Sequence, residues 1–127
     1  MKVWIDEVGD GAFPQVRFSS AVGHATAVWR GGTAPQAGEQ DVELEIPGSL
    51  GWGQDLREHP GAAMGIEQTE AGYQLRGRAV SVEARVLAVD VGGTILMLDT
   101  EGDPPAEVAG RMLEFDSPVL ELYPTGI

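Results

Sequence analysis

Glycine and proline punctuate this chain so evenly that no helical apolar periodicity survives between them for long. With 18 glycines and 8 prolines in 127 residues, the pattern that persists within each interval has a period of two. That combination directs the backbone into strands separated by turns, because successive side chains of a strand fall on opposite faces of a sheet. The clearest instance covers residues 39–46, where Val42, Leu44 and Ile46 alternate with Glu39, Asp41, Glu43 and Glu45. One face is apolar, the other carries four carboxylates, and Pro47-Gly48 ends the run.

The same reading applies along the chain. Val3 to Val8 forms a first strand followed by an Asp10-Gly11 turn, and Val16 to Ser19 and Ala25 to Arg30 carry the β-branched and aromatic residues that suit a pleated surface. Gly31 to Gly38 reads as an exposed, mobile loop. Residues 49–65 are less regular, with a short helical turn expected around Gln54 to His59. From Tyr73 the apolar positions are odd, yet they continue on even positions at Val80 and Val82, which places a β-bulge at Gly77. Val86 to Val91 and Thr94 to Asp99 form a hairpin around Gly92-Gly93. Asp103 caps a turn of helix over Ala106 to Ala109, and Met112 to Phe115 and Val119 to Tyr123 supply the last strands. The expected fold is one all-β domain over 1–127: a small closed or partly open barrel, OB-like in the order from Tyr73 onward, or a β-sandwich, with one or two short helices.

Bulk composition narrows the function classes. No cysteine is present, which excludes disulfides, thiolate zinc sites and cysteine nucleophiles. No uncharged apolar run approaches the ~20 residues that span a bilayer, and acids at Asp6 and Glu7 precede any apolar signal core. The expected compartment is the cytoplasm. Twenty acids against eight bases give a net charge of −12, which opposes binding to nucleic-acid phosphates and to anionic membranes, favours solubility and suits a basic protein partner. The single lysine, Lys2, and the absence of asparagine fit the codon usage of a GC-rich bacterial genome, with salt adaptation as the rival explanation.

Leu87-Ala88-Val89-Asp90-Val91-Gly92-Gly93-Thr94 resembles the first phosphate motif of the actin-like sugar kinases, in which a strand ends in an acid and a glycine turn approaches a nucleotide phosphate. The resemblance implies a two-lobed fold with later phosphate and adenosine motifs. Only 33 residues follow Thr94, none of them forms such a motif, and a two-glycine hairpin turn accounts for the same residues. With its sole lysine at position 2, the chain builds no P-loop.

Neither His24 nor His59 belongs to a metal-ligand spacing, and neither has a positioned catalytic partner in sequence. Carboxylate pairs such as Asp6-Glu7 and Asp99-Glu101 are unspecific among so many acids. No catalytic residue, metal site or cofactor is therefore assigned. The binding candidates are Glu39, Asp41, Glu43 and Glu45, spaced ~7 Å apart on one strand face, together with Trp52, set between two glycines as an exposed hot spot. Trp4 and Trp29 are expected in the core. The acidic stripe has a second reading as a charged edge strand guarded against unwanted pairing. The functional expectation is a non-enzymatic interaction protein, of immunity or inhibitor type, that covers a basic protein surface. The alternatives are a sugar- or cation-binding barrel, a carboxylate-based minor enzyme, and an assembly subunit.

Overall fold

A computed structural model describes residues 1–125. Its twelve strands among those residues are, in chain order, β1 (Lys2–Val8), β2 (Gln15–Ser20), β3 (Gly23–Trp29), β4 (Gly38–Glu45), β5 (Ser49–Gly51), β6 (Leu56–Glu58), β7 (Gly65–Thr69), β8 (Gly72–Glu83), β9 (Val86–Val91), β10 (Thr94–Glu101), β11 (Met112–Ser117) and β12 (Glu121–Pro124). The alternation that marks them in sequence is the alternation of their burial. In β4, Val42 and Leu44 are buried while Glu39, Asp41, Glu43 and Glu45 are exposed, so the segment is the half-buried strand that its pattern dictates.

Five strands close a barrel. β1 pairs with β2, β2 with β3, β12 with β4 and β4 with β1, all antiparallel, and β12 completes the ring by pairing parallel to β3 at Glu121–Val28 and Leu122–Trp29. Its interior is filled by Val3, Ile5, Val16, Phe18, Leu44 and Leu122, among others, so side chains rather than a ligand cavity occupy the lumen. The closed all-β barrel matches the expected fold class, but its position in the chain does not. The barrel-forming strands lie before residue 46 and after residue 120, whereas the sequence pattern placed the OB-like order from Tyr73 onward. A strand of four residues that returns to β3 from so far along the chain leaves no local signature.

The intervening residues form a second curved unit. The pairings run β8–β9–β10–β5 on one side and β8–β11–β6 on the other, and a single bridge between Trp52 and Leu56 joins the two ends. The helical turn expected over Gln54 to His59 is instead a tight turn leading into β6: Asp55 donates its N–H to the Gly51 carbonyl, and the Asp55 carboxylate accepts from the Gly51 N–H. Gly92 and Gly93, both at positive φ, make the predicted β9–β10 turn, with the Asp90 carboxylate accepting from the Gly93 N–H at 2.9 Å. The acid and glycines of the kinase-like motif are thus used up in a hairpin. The short helix is a 3-10 turn over Ala106–Val108 that carries no side-chain cap; Asp103 lies 3.6 Å from Arg85 instead.

β8 explains how the second unit curves. It pairs with β7 over Gly72–Arg76 and with β9 over Arg78–Glu83, and Gly77 sits where one neighbour gives way to the other. A β-carbon at Gly77 would lie 2.5 Å from the Asp90 carbonyl oxygen and 2.6 Å from a Val91 methyl. The glycine therefore permits close backbone approach, and the bulge expected there lies between Ala79 and Ser81. The extra residue is Val80, which turns outward.

The two units meet along β3. Gly23 pairs with Ile66 of β7, and β12 covers Val28 and Trp29, which leaves Thr26 between them without a backbone neighbour on that side. Side chains fill the gap: Gln68 Oε1 accepts from the Thr26 N–H at 2.8 Å, and the Tyr73 hydroxyl donates to the Thr26 carbonyl. Burial raises the pKa of that hydroxyl, which keeps it a donor. One contiguous apolar cluster, from Val3 through Leu56 and Leu87 to Leu122, runs under both units.

Replacing Gly77 by alanine should force β9 away from β8 and cost about 2 kcal/mol, the usual scale of overpacking a filled interior. Urea unfolding of Gly77→Ala against the wild type measures this; an unchanged midpoint would mean that the close approach is not required.

Candidate functional site

The four carboxylates of β4 stand on the outside of the closed barrel. Because the inner positions of β1 are Val3 and Ile5, its outer positions are Lys2, Trp4 and Asp6. Cross-strand register sets Trp4 opposite Glu39 and Lys2 opposite Asp41, where directly opposed side chains have β-carbons about 5 Å apart. Trp4 is 56% exposed, which corrects its assignment to the core. Val3 and Ile5 on either side of it carried the signal, since period two turns whatever lies between two inward residues toward solvent. The core tryptophan of this barrel is Trp29, 2% exposed, with its indole N–H donated to the Thr33 carbonyl at 2.9 Å.

Trp52, selected from sequence as an exposed ring, is half-buried and packs against the core. Its flanking glycines serve the tight β5–β6 turn, in which Gly53 has φ +87°, rather than presenting the indole. The structure does not bring Trp52 onto the β4 stripe; Trp4 is the ring that lies there.

Electrostatics on this face are one-sided. Lys2 approaches Glu39 at 3.5 Å, with both side chains largely exposed, and such a pair contributes little. Asp41, Glu43 and Glu45 have no ion-pair partner among the described residues. Glu45 is directly opposite Glu121, a like-charge pairing that opposes strand association; Arg30 offsets it by reaching Glu121 at 3.2 Å while stacking over the Phe13 ring at 4.4 Å. Nor is β4 an edge strand. It lies between β1 and β12, so the charges on it do not serve to block a free edge of the folded sheet.

A second charged group, which the sequence reading missed, lies on the outside of β11. Glu114 is flanked in register by Arg57 of β6 and Arg76 of β8, with contacts of 2.7 Å and 2.8 Å. Arg57 also bonds Asp116 at 2.8 Å. The Arg76 hydrogen bond, followed by that of Arg57, holds the Glu114 carboxyl below the usual range, and Arg57 with help from Gln74 does the same for Asp116. Conversely, the two acids raise the Arg57 pKa, Asp116 most strongly, although burial works against them. His59 Nδ1 lies 3.6 Å from Glu114 Oε2, at the margin of a carboxylate whose two oxygens also accept from Arg57 and Arg76. The arrangement is a fastener of three strands. Its arginines and the carboxylates they hold lie 38 to 59 residues apart in sequence, and no local pattern announces it.

His24 is exposed in an open groove of about 600 Å³ beside Arg17, Thr26, Glu67 and Gln68. Among the described residues no three histidine, aspartate or glutamate side chains converge in a way that would hold a metal ion, and no helix is long and apolar enough to cross a membrane. Comparison with known proteins finds no matching family model, no matching curated protein and no matching solved structure.

Folded-state pKa values depressed below those of the unfolded chain add stability that is present above the ordinary carboxyl range near pH 4 and vanishes as pH falls through the folded values. Glu114→Gln should therefore lower stability by about 2 kcal/mol at pH 7, the scale of hydrogen bonds to charged groups. The gap to the wild type should narrow as pH drops below about 4. Urea midpoints of both proteins from pH 7 to pH 3 test this, and a gap independent of pH would contradict it.

Proposed function

We propose that this protein is a non-enzymatic interaction protein whose barrel face, formed by β1 and β4, covers a basic surface of a partner protein in the cytoplasm, in the manner of an immunity or inhibitor protein. The observation that carries the reading is an exposed tryptophan standing directly beside a row of carboxylates in which, among the described residues, Glu39 alone has an ion-pair partner, the exposed Lys2. Trp4, opposite Glu39, offers a broad aromatic surface of the kind found at interface hot spots. Asp41, Glu43 and Glu45 supply the field that steers a cationic surface toward it and selects against acidic partners. Arginine and lysine side chains suit both parts, since they pair with carboxylates and stack on an indole.

The rigidity of the platform supports the same reading. Inner neighbours Val42 and Leu44 are 0% and 2% exposed, so the backbone that bears the stripe is fixed before any partner arrives and binding costs little ordering.

With the protein as bait, a partner of high isoelectric point from the source cell should be retained, and retention should fall as salt rises. Trp4→Ala should weaken that binding by about 30-fold, a hot-spot loss near 2 kcal/mol, and joint replacement of Glu39, Asp41, Glu43 and Glu45 by lysine should abolish it. Undiminished retention by the lysine variant would show that this face is not the contact surface.

A further inference from the structure

A group of exposed apolar side chains separate from Trp4 lies on the outer face of β8, β9 and β10. Registers place three rows across these strands: Arg78, Asp90 and Ile95; Ser81, Ala88 and Met97; and Glu83, Val86 and Asp99. The middle row is the apolar centre. Met97 is 62% exposed and Ile95 48%, and the bulge sets Val80, 56% exposed, opposite the same small Ala88. Three large exposed apolar side chains thus gather around Ala88, which is itself buried, and grouped apolar exposure of this kind marks contact surfaces.

The border of this patch has one dominant sign. Glu83 and Asp99 close one end, Asp90 the other, and Glu101 continues the outer face of β10. Arg78 is the cation within these rows, and its guanidinium is engaged by the Gly110 carbonyl at 2.8 Å. A second copy of this chain would set these carboxylates against one another, which argues against self-association through this face.

We infer that this face docks an amphipathic basic segment of the partner: one whose apolar residues cover Met97, Ile95 and Val80 while lysines or arginines on its flanks meet the surrounding acids. The inference rests on the reading that the protein binds a basic partner, and it adds where the apolar part of that contact is made. Apolar centres ringed by complementary charge are the ordinary anatomy of specific interfaces. The bulge is what opens this one, because a regular strand would turn either residue 80 or residue 81 inward.

The test uses the whole chain and two synthetic amphipathic helical peptides of equal length, one of leucine and lysine and one of leucine and glutamate, followed by methyl and indole NMR. The leucine–lysine peptide should shift the Met97 and Ile95 methyl signals, and Met97→Asp should weaken its binding at least tenfold. Met97→Gln, which adds no charge, should weaken it less. The leucine–glutamate peptide should leave the signals unmoved. Shifts confined to the Trp4 indole and its neighbours would overturn this inference while leaving the β1–β4 reading standing. Equal binding of both peptides, or Met97 shifts that grow with protein concentration alone, would overturn it as well. No response at either face would count against both readings.

Discussion

Closure of the first sheet rests on a single parallel pairing, and most of what the molecule presents to solvent follows from it. β12 contributes only four residues, yet it fills the space between β3 and β4 and removes the two free edges that β1 to β4 would otherwise leave. Ring closure needs Leu122 inside and Glu121 outside, and the ion pair from Arg30 to Glu121 relieves the like-charge opposition to Glu45 that this register creates. With the ring shut, every second residue of β4 is obliged to face water. The acidic stripe is therefore a rigid outer surface and not a frayed margin of a sheet.

Charge is distributed by two different rules. On β4 the carboxylates are exposed and mostly unpaired, which keeps their field directed outward into solvent. On β11 the carboxylates are half-buried and clasped by arginines of the flanking strands, so their charge is spent internally in holding β6, β11 and β8 in register. The same residue types stand open to solvent in one place and fasten strands in the other, and what separates the two is whether an arginine stands directly across the ladder.

Period-two patterning made most strands legible, including the whole of β4, the β9–β10 hairpin and the break before β12. It also held the information for Trp4, whose neighbours Val3 and Ile5 fix its direction, although aromatic bulk suggested a core position. What could not be read was long-range pairing: the return of β12 to β3, the contact of β3 with β7, and the gathering of Arg57, Arg76 and Glu114 around one strand. Trp52 shows a different limit. Glycines on both sides of a ring are equally suited to exposing it and to turning the chain sharply, and only the backbone geometry at Gly53 distinguishes the two. The shift from odd to even apolar positions in β8 revealed that an extra residue was present, but its place depended on where β9 takes over from β7.

The late position of β12 has a consequence for how the chain comes into being. As synthesis proceeds from the N-terminus, β1 to β4 emerge long before the strand that seals them, and in that interval the flank of β4 that β12 will cover is an open ladder of N–H and C=O groups. Four carboxylates on that strand repel other nascent copies and discourage them from adding to it. The acidic row that faces outward in the finished barrel thus also guards the seam while the ring is still incomplete, a service that ends once β12 has taken its place.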